Sequence, residues 1–455
     1  MERLKGSFRD PSGFLFFDNK ELYRVVSDFY REDYELLTSS GLYNKLVEKE
    51  LLVSHNEMTE SFELNAFKII KPKLIPFVSY PYEWSFSQLK DAALLTLEIQ
   101  KEAIKCGMIL KDATSYNVQF LNGRPIFIDT LSFERYVEGK PWVAYKQFCQ
   151  HFLAPLALMS YCDVRLSKLF RIFIDGVPID IASKLLPFKT YFKPSLLMHV
   201  HLHAGSVKKY EDKDPSEKQI NRKISKNSLV ALIDNIESCV KSLKWKASGT
   251  EWVDYYQGDS YTQKGFDNKA SLVKEFISIS ESKNVWDLGA NDGYFSNIAS
   301  NLGANVVSFD IDSACVENNY LRARKNNNGR ILPLILDLTN PSAGIGWNNN
   351  ERNKIEERGH PDLLMALALI HHISISNNVP FDLVRDYFSS IAPWLIIEFV
   401  PKSDKKVKRL LSFRKDVFDS YNQEYFEKCF LEKYEICESV KIDESDRVLY
   451  LMKRR

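Results

Sequence analysis

Val285-Trp286-Asp287-Leu288-Gly289-Ala290-Asn291-Asp292-Gly293-Tyr294-Phe295-Ser296 is the stretch that decides how this chain is read. It begins as a buried strand closed by an acid, passes through a turn of small residues and opens a helix. Glycines at such a turn let a ligand lie against the backbone, because a Cβ there would clash. Ligands of open α/β sheets bind outside the carboxyl ends of the strands, at the point where the strand order reverses. Gly289, Asn291 and Gly293 are therefore candidate binding residues, with Asp287 at the strand end. A second acid, Asp310, closes the next expected strand 23 positions after Asp287. That is near the spacing of about 20 at which a carboxylate accepts both hydroxyls of a ribose.

The pattern around this stretch alternates. Helices are expected over 270–280, 293–302, 313–325 and 381–391, and strands over 284–287, 305–310, 331–336, 363–369 and 394–399. Alternating strands and helices imply βαβ units and a parallel sheet covered on both faces. A last pair of runs, 434–442 and 448–452, fits an antiparallel edge.

A glycine turn followed by an acid suits NAD(H) as readily as S-adenosylmethionine. Two residues favour the latter. Asn291 stands where a dinucleotide fingerprint has its middle glycine, and Asp287 would repel a pyrophosphate but attract a ligand carrying an ammonium group. Asp287-x-Gly289-x-Asn291-x-Gly293 resembles motif I of class I methyltransferases, with asparagine at the middle glycine. Asp310 matches the ribose-binding acid of that family, and Asp337 the acid that faces the adenine amino group. Pro361-Asp362-Leu363-Leu364 and the run from Ala366 to His372 match motif IV, the strand leading to the methyl group. The resemblance covers roughly residues 253–455. It implies a Rossmann-like, seven-stranded α/β methyltransferase domain over 250–455 that binds S-adenosyl-L-methionine.

Methyl transfer needs a positioned acceptor and, for a hydroxyl or a protonated amine, a base. His371 and His372 stand at the end of a core strand, and an unperturbed imidazole titrates near pH 6.5. Neighbouring strand residues point to opposite faces, so one of the two is expected to face the site. Glu398, at the end of the next strand, is the other candidate. Tyr255, Tyr261 and Lys269 precede the first strand and are placed to cover the cofactor. The N/D-P-P-Y/F signature of amino-group methylation on bases is missing.

The first half reads as an α+β domain over 1–205, with a small lobe over about 1–80 and a helical lobe over 85–205. A hairpin is expected over 13–26, a strand over 74–80 and a helix over 87–106 with Ser87 as its cap. Asn122-Gly123 between two apolar runs signals a second hairpin over 117–128. Asp112, Asn117 and Asp129 resemble the catalytic-loop and metal-binding segment of protein kinases and aminoglycoside-type phosphotransferases, which implies ATP and magnesium as ligands. Tyr80-Pro81-Tyr82-Glu83 would be the hinge between lobes. There are departures: Leu110-Lys111 precede Asp112, Thr130-Leu131 follow Asp129, and no glycine-rich loop is recognisable.

Residues 206–227 have almost no large apolar side chains and read as a linker or exposed loop, within a linker-and-helix segment over 206–249. The 7 cysteines are scattered without C-x-x-C spacing, which argues against a disulfide framework and structural zinc. No metal ligand set is assigned. A net charge of +1 gives the whole chain no pull toward nucleic acid or an anionic membrane, and Lys402, Lys405, Lys406, Lys408 and Arg409 read as a solvated helix face. The polar opening over 1–10 and the lack of long uncharged apolar runs make a cytoplasmic location the expectation.

The two-part arrangement also resembles a bacterial family related to rhizobial nodulation proteins. The leading expectation is a methyltransferase acting on a hydroxyl or amine of a small molecule or glycan, with the first half binding acceptor or partner. Two others stay open: a bifunctional methyltransferase and ATP-dependent phosphotransferase, and a binding protein with two degenerate sites.

Overall fold

The computed structural model describes residues 1–59, 64–205, 224–247, 261–412 and 415–455. They form two compact units: Met1–Lys246 with Ala343–Asn353, and Ala247–Ser342 with Lys354–Arg455.

Unit 1 opens with an antiparallel sheet of strands β1 (Glu2–Arg3), β2 (Leu15–Asp18), β3 (Glu21–Val26), β4 (His55–Glu57) and β5 (Lys68–Pro72), in the order β1-β2-β3-β5-β4. The β2–β3 hairpin turns at Asn19 and Lys20, both with positive φ. Helices α1 (Arg31–Ser39) and α2 (Leu42–Glu48) lie between β3 and β4 in sequence. The strand expected over 74–80 is not formed; the strand is β5, a few residues earlier. Over 74–80 the chain makes its hydrogen bonds to side chains instead. Ser79 N–H donates to Gln119 Oε1 at 2.8 Å, and Tyr80 N–H to Glu83 Oε2 at 2.9 Å.

Helix α3 (Phe86–Lys105) is capped by Ser85, not Ser87: Ser85 and Gln88 form a reciprocal capping box. Strand β6 (Met108–Leu110) follows. The second hairpin is β7 (Val118–Leu121) with β8 (Arg124–Phe127), and its Asn122-Gly123 turn has φ of 51° and 73°, the left-handed pair that such a turn requires. Strand β9 (Phe133–Arg135) pairs with β6, and helices α4 (Ala154–Tyr161), α5 (Ile179–Leu185) and α6 (Lys226–Ser242) complete the unit.

Residues 206–223 of the expected loop lie outside the described residues. Ser225, near the end of that loop, caps α6, whose Leu229, Ile233, Ile236 and Val240 are fully buried. This apolar stripe at helical spacing draws α6 into unit 1, which therefore extends to Lys246.

Unit 2 starts with α7 (Gln263–Ser280) and alternates through β10 (Asn284–Leu288), α8 (Tyr294–Asn301), β11 (Asn305–Asp310), α9 (Ser313–Lys325), β12 (Ile331–Ile335), β13 (Leu363–Ala366), α10 (Phe381–Ile391) and β14 (Trp394–Phe399). Helices α11 (Lys405–Leu411) and α12 (Gln423–Phe430) precede β15 (Tyr434–Lys441) and β16 (Val448–Arg454). The seven-stranded sheet has the order β12-β11-β10-β13-β14-β16-β15. Strands β10 to β14 are parallel; β16 runs antiparallel to β14, and β15 to β16, as expected for the edge. Every residue of β13 is buried, because helices cover both faces of a parallel sheet.

One strand is shorter than expected. β13 stops at Ala366 rather than at 369, and Ala368 takes φ of 50°. His371 and His372 thus stand at the entry to a helical turn, His372–Ser376, not on a strand. Of the basic run, Lys405, Lys406, Lys408 and Arg409 lie on α11, whereas Lys402 precedes the helix and pairs with Asp416 at 2.8 Å. Among the described residues no helix is long and apolar enough to cross a membrane.

Candidate functional site

The order of the sheet sets the site. From β10 the chain builds outward through β11 and β12, then returns to place β13 on the other side of β10. A crevice opens at such a reversal, beyond the carboxyl ends of the strands. A cavity of about 240 Å³ lies there. Gly289 and Asn291 line it from beyond β10, Asp310 and Ile311 from β11, Leu336 and Asp337 from β12, and Leu367 to Leu369 with His372 from beyond β13.

Each glycine-turn residue has its own physical reason. Gly289 has φ of 71°, and a Cβ there would sit 3.0 Å from Leu369 Cδ1. Gly293 has φ of 80°, and a Cβ would fall 2.3 Å from Asn319 Nδ2. Gly293 is therefore required by packing against α9 and does not line the cavity. Asn291 has φ of 53°, and asparagine tolerates that left-handed region better than other residues with a Cβ. Its N–H donates to Asp310 Oδ2 at 2.7 Å, while Asp312 N–H donates to Asp310 Oδ1 at 2.8 Å. These two bonds fix the Asp310 carboxylate at the cavity wall. Burial pushes Asp310 up to about 6.

Asp287 lies below the turn, 1% exposed, and accepts a hydrogen bond from Ser296 Oγ at 2.6 Å. It does not line the cavity. Burial, reinforced by the nearby Asp310, pushes its carboxyl up to about 7. An unfolded aspartate titrates near 3.9. The neutral acid is thus the form that folding prefers. The stability it contributes is complete below about pH 4 and is lost as pH rises through 7. Asp287→Asn is therefore expected to raise the melting temperature at pH 8 and to raise it by clearly less at pH 5. Calorimetry at both pH values checks this; an equal shift at both would show that the carboxyl does not titrate.

The three base candidates fare differently. His372 lines the cavity, and burial together with the positive charges of Arg447 and Lys406 lowers it to about 4. His371 is fully buried, does not line the cavity, and is held well below its ordinary value by burial. The rings lie 4.1 Å apart. Glu398 is fully buried and bound to charge. Its Oε2 lies 2.6 Å from Lys269 Nζ, and its Oε1 lies 3.2 Å from Arg447 Nη1 and accepts from Tyr261 Oη. Burial opposes ionisation of Glu398, but the two cations outweigh it and hold the carboxyl down to about 2. Such a group does not take up a proton near neutral pH, so Glu398 is not placed as a base. Its Oε2 also accepts the N–H of Ala368 at 2.9 Å, which steadies the one cavity-wall residue of non-glycine, non-asparagine type with positive φ.

Arg447 escaped the sequence reading altogether. It follows the polar hairpin tip Asp443-Glu444-Ser445-Asp446, which suggests exposure, yet it is fully buried and pairs with Asp404 at 2.8 Å. Lys269 lines the cavity and is 1% exposed. Tyr261 joins Lys269 at 3.0 Å and Arg447 at 2.5 Å. Tyr255 lies outside the described residues. Asp337 is partly exposed and accepts from Thr339 N–H and Oγ1 at 2.9 and 2.7 Å. Ala366 is buried in β13 and lies behind the cavity wall rather than on it.

In unit 1 the three polar residues singled out do converge. Asn117 Nδ2 donates to Ser132 Oγ at 3.2 Å, and Ser132 Oγ donates to Asp129 Oδ2 at 2.8 Å. Burial raises Asp112, and Asp129 raises it further, while bonds from Thr114 N–H and the Asn117 side chain work against both. A residue absent from the expectation completes the cluster: Arg24 Nη1 lies 2.5 Å from Asp129 Oδ1, and Nη2 lies 3.1 Å from Asp10. Among the described residues no group of three or more His, Cys, Asp or Glu is arranged to hold a metal ion.

The strand order and the cavity at its reversal define unit 2 as a domain of the class I methyltransferase fold. The nodulation protein NoeA of Rhizobium meliloti (strain 1021) is 34% identical over 464 residues, spanning 99% of this chain and 96% of that one. The chain belongs to the NoeA family of nodulation proteins. No protein-family model matches the sequence. Among solved structures, the magnesium protoporphyrin IX methyltransferase ChlM of Synechocystis PCC 6803, with bound SAH, aligns at 17% identity and a TM-score of 0.32, over 46% of this chain and 91% of its own. The bifunctional kinase-methyltransferase WbdD aligns at 20% identity and a TM-score of 0.29, over 47% of this chain and 45% of its own.

Proposed function

We propose that the chain is an S-adenosylmethionine-dependent methyltransferase acting on a hydroxyl or amine of a small molecule or glycan, with unit 1 binding the acceptor or a partner. One observation carries this reading: a single cavity at the sheet reversal is walled by two carboxylates, Asp310 and Asp337, and by a glycine turn that leaves its backbone bare. That donor and acceptor set suits the cofactor. Asp310 is free on its cavity side to accept ribose hydroxyls, Asp337 to accept from the adenine amino group, and Ile311 and Leu338 supply apolar flanks.

When bound, S-adenosylmethionine supplies an activated methyl group at a sulfonium carbon. The residues of the chain then position the acceptor and exclude water. His372, neutral at physiological pH, accepts a hydrogen bond from the acceptor's O–H or N–H at the end of the β13 loop. Glu398 is a positioning residue: through Lys269 on one side and Ala368 on the other it sets the wall that His372 follows. His372→Ala is expected to lower kcat by about a hundredfold with little change in cofactor affinity. Equal losses in both would make His372 a cofactor contact instead.

Isothermal titration of the full chain with S-adenosylmethionine and S-adenosylhomocysteine tests the central reading. Saturable binding of both is expected; a folded protein that binds neither overturns it.

The cluster in unit 1 is read as a binding feature rather than a phosphotransferase. The Arg24 guanidinium neutralises Asp129 where a divalent cation would have to sit. Addition of ATP with magnesium is expected to leave the melting temperature unchanged. A rise of several degrees that depends on Asp129 would restore the bifunctional reading.

A further inference from the structure

We propose that a face of unit 1 formed within residues 184–202 docks on an anionic lipid surface. Phe188 and Phe192 are each 73% exposed. They project from one tight turn, Phe188–Phe192, with their rings 5.4 Å apart. The turn is held from beneath. Thr190 is fully buried and bonds Pro187 O at 2.7 Å and His201 Nε2 at 2.9 Å, and Tyr191 stacks on the His201 ring at 3.7 Å. With Thr190 buried and Tyr191, 40% exposed, held on His201, residues 188 and 192 are presented outward as a fixed pair. Leu185, at the end of α5, and Met198 and Leu202, on the helical turn Leu197–Leu202 whose His201 packs on the Phe188–Phe192 turn, are exposed as well. An apolar cluster of this kind costs solvation unless something covers it.

Charge selects what covers it. From residue 181 to residue 205 the chain carries Lys184, Lys189 and Lys193 and no acid. All three lysines are exposed; Lys184 pairs with Asp180 at 3.3 Å, and Lys189 lies over the Tyr161 ring at 5.5 Å. A second copy of the chain is disfavoured as the occupant, because a two-fold contact would bury the same lysine-bearing patch of both copies against each other. Exposed aromatic rings interleaved with lysines match a lipid headgroup boundary. The rings enter the acyl margin, the lysine stems lie along it and the ammonium groups reach phosphate. A neutral chain thus carries a local surface that its net charge conceals.

Co-sedimentation of the full-length protein with vesicles tests this. Binding is expected to an equimolar mixture of phosphatidylcholine and phosphatidylglycerol, to be absent from phosphatidylcholine alone, and to weaken as salt is raised. The double substitution Phe188→Ser, Phe192→Ser and the triple substitution Lys184→Gln, Lys189→Gln, Lys193→Gln should each lower binding by about tenfold or more. Neither should alter cofactor affinity or the melting temperature, since the side chains are exposed. Wild-type protein that stays in solution with the mixed vesicles overturns the proposal, as does a double variant that sediments like wild type. Self-association of wild type abolished by the double substitution, without vesicle binding, would assign the face to a second copy and likewise overturn it.

Discussion

Asp310→Ala is expected to weaken S-adenosylmethionine binding by about a hundredfold or more. A hydrogen bond to a charged group contributes about 1.5–3 kcal/mol, and in the proposed cofactor site the carboxylate, fixed by the N–H groups of Asn291 and Asp312, would accept from both ribose hydroxyls. Asp310→Asn keeps the shape but loses the charge, so its affinity should fall between the two. The same group sets a pH dependence. Burial pushes its carboxyl up to about 6, and the ionised form is the better acceptor. Affinity should therefore hold at pH 7 and above and decline as pH falls through 6. Titration calorimetry from pH 5 to 8 reads both effects. An affinity for Asp310→Ala equal to that of wild type would remove this carboxylate from the site, and a flat pH profile would show that it stays ionised.

Glu398→Ala is expected to lower the melting temperature of unit 2 by about 10 °C or to prevent its folding. The carboxylate lies between Lys269 and Arg447, all three almost fully buried. Removing one partner from a buried ion pair costs about 3–5 kcal/mol, because the other charge remains without compensation, and each kcal/mol is worth about 2–4 °C in a domain of some 200 residues. Asp404 beside Arg447 balances only one of the two cations left behind, and Lys269 loses its partner. Glu398→Gln retains acceptor and donor atoms and should lose less. In the wild type, Glu398 is held at about 2, below the unfolded value of about 4.3. Its stabilisation is thus present above pH 4 and is lost as pH falls from about 4 to 2. Thermal melts of both variants across acid pH read this. An Ala variant as stable as wild type would show that the cluster does not hold the β13 loop in place.

Much of unit 2 was legible because its signals are local. The apolar runs of β10 and β13, the punctuation by Gly289 and Gly293, and the acid at the end of β11 each lie within a few residues of the structure they cause. The hairpins at Asn19-Lys20 and Asn122-Gly123 were legible for the same reason, since a left-handed turn restricts which residues occupy it. The strand expected over 74–80 failed because its backbone bonds go to Gln119 and Glu83, partners that apolar periodicity does not reveal. The histidines were placed at the end of a strand because residues 363–370, just before them, are apolar without a break. The end of β13 is decided by the positive φ of Ala368 and the carboxylate of Glu398 that receives its N–H.

The sequence by itself determined the alternation of strands and helices, the glycine turn at the cavity and the acids that border it. Those depend on side-chain period, on steric limits at φ and on short spacing along the chain. Only the tertiary structure decided which charges meet. Lys269, Glu398 and Arg447 come from α7, β14 and the turn just before β16, and Arg24 reaches Asp129 across 105 positions. Electrostatic partners are chosen by distance in space and by burial, and the fold alone sets both.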